Sequence, residues 1–165
     1  SCFYNGETIE WGVPSLGFIL GDEGSGAVLG KRLVGDLLKN QLGDDLKESF
    51  FAEYDTSMAD IIDKVYRQPL PNRFLAKLSK FCADHIDDPH IHALVYDHFV
   101  QFIRRNLVQY KTDRPIAFVG SIAYYYKPIL EEAMKAEELP IGIILQDPIE
   151  GLKAYHKDSV LPTLE

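Results

Sequence analysis

Cysteine is nearly absent. Cys2 and Cys82 are the only two in 165 residues, and their separation suits free thiols in a reducing cytoplasm better than a disulfide framework. Long apolar runs are missing as well. Ile141 to Leu145 is among the longest, far short of the ~20 residues that cross a bilayer. The first residues carry neither a basic segment nor an apolar one, so no secretory signal is visible in them. Positive charge is in deficit: the formal net charge is −8, with no basic stripe to release counterions from a nucleic-acid backbone. Gly-x-x-x-x-Gly-Lys-Ser/Thr, the dinucleotide fingerprint, His-Glu-x-x-His and Gly-x-Ser-x-Gly are all missing. Acidity does not exclude a nucleotide, because backbone N–H groups and helix N-termini bind phosphate without net positive charge.

The composition that remains is that of a globular domain, 46% hydrophobic and 25% charged, long enough for one core. Asn5-Gly6 between short apolar runs predicts a hairpin within Ser1–Trp11. So abrupt an opening on strand residues suggests that a further segment precedes Ser1. Phe18-Ile19-Leu20 is a short apolar stretch ahead of Gly21-Asp22-Glu23-Gly24-Ser25. A helix is predicted from there to about Gln41, with Leu29, Leu33 and Leu37 on one stripe and Gly43 at its C-cap. Gly26 and Gly30 share that face, and close packing against another backbone would offset the ~1 kcal/mol each costs in helix propensity. From about residue 45 to 112 the pattern is wholly helical. Asp55-Thr56-Ser57 caps a helix through Tyr66, Asn72–His85 forms one stripe, and Asp87-Asp88-Pro89 opens a long helix. The period then changes: strand Ile116–Val119, a break at Gly120-Ser121, a helix from Ala123 to about Lys135, strand Ile141–Leu145, and a last helix from Asp147-Pro148 to about His156. That is a parallel βαβ unit.

Two turns carry candidate chemistry. At Gly21-Asp22-Glu23-Gly24-Ser25, two carboxylates can accept hydrogen bonds from substrate hydroxyls while the glycines allow close approach. Taken alone, the turn reads first as a helix start, with Asp22 as cap and Glu23 on the dipole. Gly120-Ser121, at a strand end opening a helix, can border a nucleotide. An ordinary strand–helix turn with Ser121 as cap accounts for it equally. His85, His90, His92 and His98 lack a metal-ligand spacing and read as a solvated helix start. The Tyr124-Tyr125-Tyr126 run reads as rings covering a helix face.

Together, Leu20-Gly21-Asp22-Glu23-Gly24-Ser25-Gly26, Phe118-Val119-Gly120-Ser121-Ile122-Ala123 and the closing Pro148-Ile149-Glu150-Gly151-Leu152 resemble the N-acetylglucosamine kinase and BadF/BadG-type ATPase branch of the actin-like ATPase superfamily. The resemblance runs from Ser1 to about His156. It implies an α/β, ribonuclease-H-like domain with a mixed sheet and an all-helical insertion at about 45–112. The whole chain, 1–165, would be the C-terminal lobe, with the N-terminal lobe outside it. It implies sugar contacts at Gly21, Asp22, Glu23 and Gly24, and nucleotide contacts at Ser1, Gly120 and Ser121. Ser1 would be the tail of a second phosphate-binding loop. Leu16-Gly17 departs from the Trp-Gly of human-type enzymes. The first phosphate loop and the aspartate base are not in this sequence, so catalytic residues are unknown here and the fragment alone is expected to be inactive. The implied ligands are ATP, Mg2+ and an amino sugar, with no nucleic-acid or membrane partner and a homodimer left open. An ATPase that activates a radical dehydratase through an iron–sulfur cluster, and a non-catalytic sugar or nucleotide sensor, are the competing readings. Leu164-Glu165 is compatible with a cloning remnant.

Overall fold

The computed structural model describes residues 1–159; Leu164-Glu165 lies outside them. The chain opens with an antiparallel hairpin, β1 (Cys2–Tyr4) and β2 (Ile9–Gly12), as Asn5-Gly6 predicts. Asn5 closes the turn by accepting at Oδ1 from the Glu7 and Thr8 amides, an Asx turn. Helices follow: α1 (Gly17–Leu20), α2 (Gly26–Leu38), α3 (Asp44–Tyr54), α4 (Met58–Tyr66), α5 (Pro71–Leu78), α6 (Lys80–Asp84) and α7 (Pro89–Asn106), then a 3-10 turn at Val108–Tyr110. The closing unit is β3 (Ile116–Val119), α8 (Ser121–Tyr125), α9 (Lys127–Ala136), β4 (Ile141–Leu145) and α10 (Ile149–Ser159).

Side-chain capping sets several of these starts. Ser57 and Asp60 form a capping box on α4, satisfying two amides that would otherwise lack partners. Asp88 accepts from the His90 and Ile91 amides and Pro89 supplies the first residue of α7, the arrangement that Asp-Pro encodes. Three expected caps move. Ser25, not Asp22, caps α2, its Oγ accepting from the Val28 amide. Gly43 lies at the start of α3 with φ 88, because α2 already ends at Lys39. Gly120, not Ser121, is the cap position of α8 and offers no side chain. Two expected helices are each divided, at Ser79 between α5 and α6 and at Tyr126 between α8 and α9. The breaks meet: the buried Tyr126 hydroxyl donates to the Ser79 carbonyl at 2.6 Å.

One core unites the helical block with the βαβ unit. Leu29, Leu33 and Leu37 of α2 pack with Phe81, with Ile91, Val95, Phe99 and Ile103 of α7, and with Leu130, Ala133 and Met134 of α9. Those spacings of three and four keep each helix's apolar residues on one face. Full burial of each large side chain is worth ~1.5–3 kcal/mol. The glycines on α2 do what their spacing predicts: a Cβ at Gly30 would stand 1.9 Å from the Leu75 carbonyl oxygen of α5.

The strands depart from one mixed sheet. β3 and β4 form a parallel pair and β1 and β2 an antiparallel pair, two separate sheets among the described residues. A groove of about 730 Å³ keeps them apart, bounded by Cys2, Phe3 and Tyr4 on one side and Ile116 to Val119 on the other. Phe102, Leu107 and Tyr110 also line it. Backbone hydrogen bonds cannot span such a gap, since paired strands lie ~4.8 Å apart.

Candidate functional site

The β3–α8 junction and the α1–α2 turn face one another across a cavity of about 420 Å³. Six of the seven residues singled out from sequence line it: Ser1, Asp22, Glu23, Gly24, Gly120 and Ser121. Gly21 is buried outside the lining. A Cβ there would fall 2.0 Å from the Ser15 carbonyl oxygen, so it serves close packing beneath the turn.

The turn is tied down at both ends. The Gly21 amide donates to the Gly17 carbonyl and the Asp22 amide to the Ser15 carbonyl, both at 2.8 Å. The Ser25 amide closes back on the Asp22 carbonyl at 3.0 Å. Asp22 is held at φ 59, a left-handed conformation that Asp and Asn tolerate better than most residues. Gly24, at φ 85, lies against Phe102 of α7; a Cβ would meet that ring at 2.8 Å. Glu23 reaches the other way, its Oε1 accepting from Arg105 Nη1 at 2.6 Å. Of the two adjacent carboxylates, one is committed to a guanidinium.

On the opposite wall, β3 continues its ladder to the end: the Gly120 amide donates to the Leu145 carbonyl at 2.9 Å. Gly120 has φ 143 and open space where a Cβ would stand. A bare backbone therefore faces the cavity at the strand end, flanked by Val119 and Ser121. Phe99, Phe102, Phe118 and Ile122 give the cavity an apolar wall. Ser1 is fixed at the rim, its Oγ donating to the Asn106 carbonyl at 3.0 Å and pairing with the Tyr110 hydroxyl at 2.9 Å. The floor from α7, Phe99, Phe102 and Asn106, was not legible as site. Its helical periodicity announces core, and Phe99 is both.

His98 of α7 lies directly behind the turn. It is buried, its Nε2 has no hydrogen-bond partner, and burial above all pushes its pKa down to about 4. Nearby Arg32 lowers it further, while the Gly24 carbonyl and Asp97 act in the opposite sense. A second, polar cavity of about 320 Å³ is lined by Glu23, Lys31, Arg32, Asp97, His98 and Arg105 among others. The other three histidines of that cluster in sequence separate, to Glu53 (His85), Asp88 (His90) and Glu132 (His92). Tyr124 and Tyr125 are exposed, as expected of a covering run, whereas Tyr126 is core.

No protein-family model matches the chain, and no curated protein does. Among solved structures it superposes on the "Putative N-acetylglucosamine Kinase" of Porphyromonas gingivalis with a TM-score of 0.93 at 46% sequence identity. The chain is a relative of that protein. The match covers 96% of this chain and 56% of that one, so this chain spans little more than half the length of its relative.

Proposed function

We propose that this chain is the C-terminal lobe of an ATP-dependent sugar kinase that phosphorylates an amino sugar, N-acetylglucosamine at its 6-hydroxyl, in the cytoplasm. The observation that carries the reading is the single cavity lined by both the Asp22 turn and the Gly120 strand end. The name borne by the 46%-identical relative agrees with it.

Asp22 is the sugar-side acceptor. Its carboxylate has no side-chain hydrogen bond among the described residues, unlike that of Glu23, and it stands at the cavity wall. A charge-assisted hydrogen bond from a sugar hydroxyl is worth about 1.5–3 kcal/mol. On the other wall, the open space at Gly120 and the apolar Phe118, Val119 and Ile122 fit the flat nucleoside end of ATP. ATP supplies the phosphoryl group. Among the described residues no cluster of three His, Cys, Asp or Glu could hold a metal ion, so the Mg2+ ligands are assigned to the phosphates and to the rest of the protein. The general base, which must lie within hydrogen-bond reach of the attacking hydroxyl, is assigned there too, leaving the isolated lobe inactive. What this lobe contributes is positioning and water exclusion. A further strand of the full-length protein seated in the groove between β1 and β3 would join the two pairs into one mixed, ribonuclease-H-like sheet, with residues 45–112 as its helical insertion.

An iron–sulfur activator fits less well. Cys82 is buried in the helical core and its thiol is pushed up to about 12 by desolvation, while Cys2 is exposed; thiolate ligation needs the opposite. The test is a coupled ADP-release assay on the full-length protein with and without N-acetylglucosamine, repeated with Asp22→Asn. Sugar-dependent release is expected, with the sugar KM raised at least tenfold in the variant. No sugar-dependent turnover, or unchanged KM and kcat in the variant, sinks the assignment.

A further inference from the structure

We infer that Arg105 is a positioning residue for the sugar-side turn, acting through Glu23, so that Asp22 alone of the two carboxylates is offered to the cavity. The inference deepens the kinase reading and rests on it for its enzymatic readout only.

The turn is anchored by its own backbone on one side, through the Gly21 and Asp22 amides. Its other side lies on three residues of α7, His98, Phe102 and Arg105. Their spacing of four and three puts them on one helix face. Each meets a different part of the turn. The Gly24 carbonyl is beside the His98 ring, the Phe102 ring lies against the Gly24 α-carbon, and Arg105 Nη1 holds Glu23 Oε1 at 2.6 Å. The first two contacts fill space; only the third fixes the direction of a side chain.

That direction matters because Glu23 lines both cavities. Its side chain is 18% exposed while that of Arg105 is 63% exposed, so the carboxylate is largely withdrawn from water and its partner caps it from outside. Without the guanidinium, Glu23 would be an unpaired anion beside Asp22, facing a cavity assigned to an anionic nucleotide. Like charges on adjacent residues repel, and a partly buried carboxylate without a partner turns out toward water. Either response moves Asp22, whose left-handed backbone is sustained only by surrounding contacts. Arg105 comes from a helix about 80 residues downstream and carries no sequence signal of this role; its place near the end of α7 reads as a cation on the helix dipole.

The experiment uses full-length protein with Arg105→Gln, Arg105→Lys, Glu23→Gln and the Glu23→Gln/Arg105→Gln pair. Arg105→Gln is expected to raise the sugar KM about tenfold while kcat and the ATP KM stay within twofold, and Arg105→Lys to recover most of the loss. The double variant should be no worse than Arg105→Gln alone, since both remove one interaction. Amide hydrogen exchange at residues 21–25, read on the same ligand-free proteins, should quicken about tenfold in Arg105→Gln and not elsewhere. Unchanged exchange overturns the brace whatever the kinetics. So does a parallel rise in both KM values with no recovery by lysine. If wild type shows no ATP-dependent sugar phosphorylation while exchange at the turn quickens as expected, the kinase reading falls and the brace stands.

Discussion

Gly30 of α2 and Leu75 of α5 are in backbone contact: a side chain at Gly30 would begin 1.9 Å from the Leu75 carbonyl oxygen. The same carbonyl carbon lies 2.8 Å from that position, so a backbone, not a flexible side-chain tip, must give way. Gly30→Ala gains about 1 kcal/mol of helix propensity and loses more than that in separating the two helices. Overpacking of this kind costs about 1–3 kcal/mol. A net fall in Tm of several degrees is expected by thermal unfolding. An unchanged or higher Tm would show that α5 can slide away from α2 at no cost.

Tyr126→Phe tests the hydrogen bond that joins the two helix breaks. The Tyr126 hydroxyl is buried and donates to the Ser79 carbonyl at 2.6 Å, and desolvation holds its pKa well above the ordinary tyrosine value. Removing the donor leaves that carbonyl with the Cys82 amide as its remaining partner, a loss of about 0.5–1.5 kcal/mol. Urea unfolding should show the midpoint falling with the slope unchanged. A shift no larger than that of Tyr125→Phe, at an exposed neighbour, would contradict it.

His98 gives stability a pH dependence. Its folded pKa of about 4 lies below the 6.5 of an unhindered imidazole, so between these values the unfolded chain binds the proton and the folded one does not. The stabilisation is complete above about pH 6.5 and is lost as pH falls toward 4, by about 2 kcal/mol at pH 5. Denaturant unfolding at pH 7.5 and pH 5 reads it directly. His98→Asn, which cannot titrate, should show a smaller loss between the two values. An equal loss in both proteins would assign the dependence to other groups.

The βαβ unit was readable because Ile116–Val119 and Ile141–Leu145 are continuous apolar runs bounded by Gly, Pro and Asp, the pattern of parallel strands. The burial such runs imply is not met here, where Val119 and Ile143 are exposed. The α7 start was readable for a similar reason, Asp88-Pro89 having one favoured use. The turn at Asp22 was harder. Asp22 and Ser25 are equally good caps, and the choice falls to the bond between the Asp22 amide and the Ser15 carbonyl, which puts Asp22 at positive φ. The division of α8 from α9 left a mark that periodicity alone passes over. Pro128 stands in the first turn of α9, and proline inside a helical pattern ends the preceding helix. The break at Ser79 carries no glycine or proline: the Ser79 hydroxyl donates to the Ala76 carbonyl, and its own carbonyl accepts from Tyr126, 47 residues away. The cavity's two walls were legible as turns, but its floor was not, because Phe99 and Phe102 obey the same period as the core.

Gly120→Ala separates the two walls functionally. The substitution meets no atom within 4 Å, but it forces alanine to φ 143, which costs about 1–3 kcal/mol or shifts the strand end. A methyl group would also occupy the open space assigned to the nucleoside, while the Asp22 turn on the facing wall is untouched. In the full-length protein the ATP KM should rise about tenfold, with the sugar KM within twofold, opposite in pattern to Asp22→Asn. Thermal unfolding should show a loss of a few degrees and no more. If instead both KM values rise together with a large fall in Tm, Gly120 serves the strand–helix junction and the nucleotide lies elsewhere.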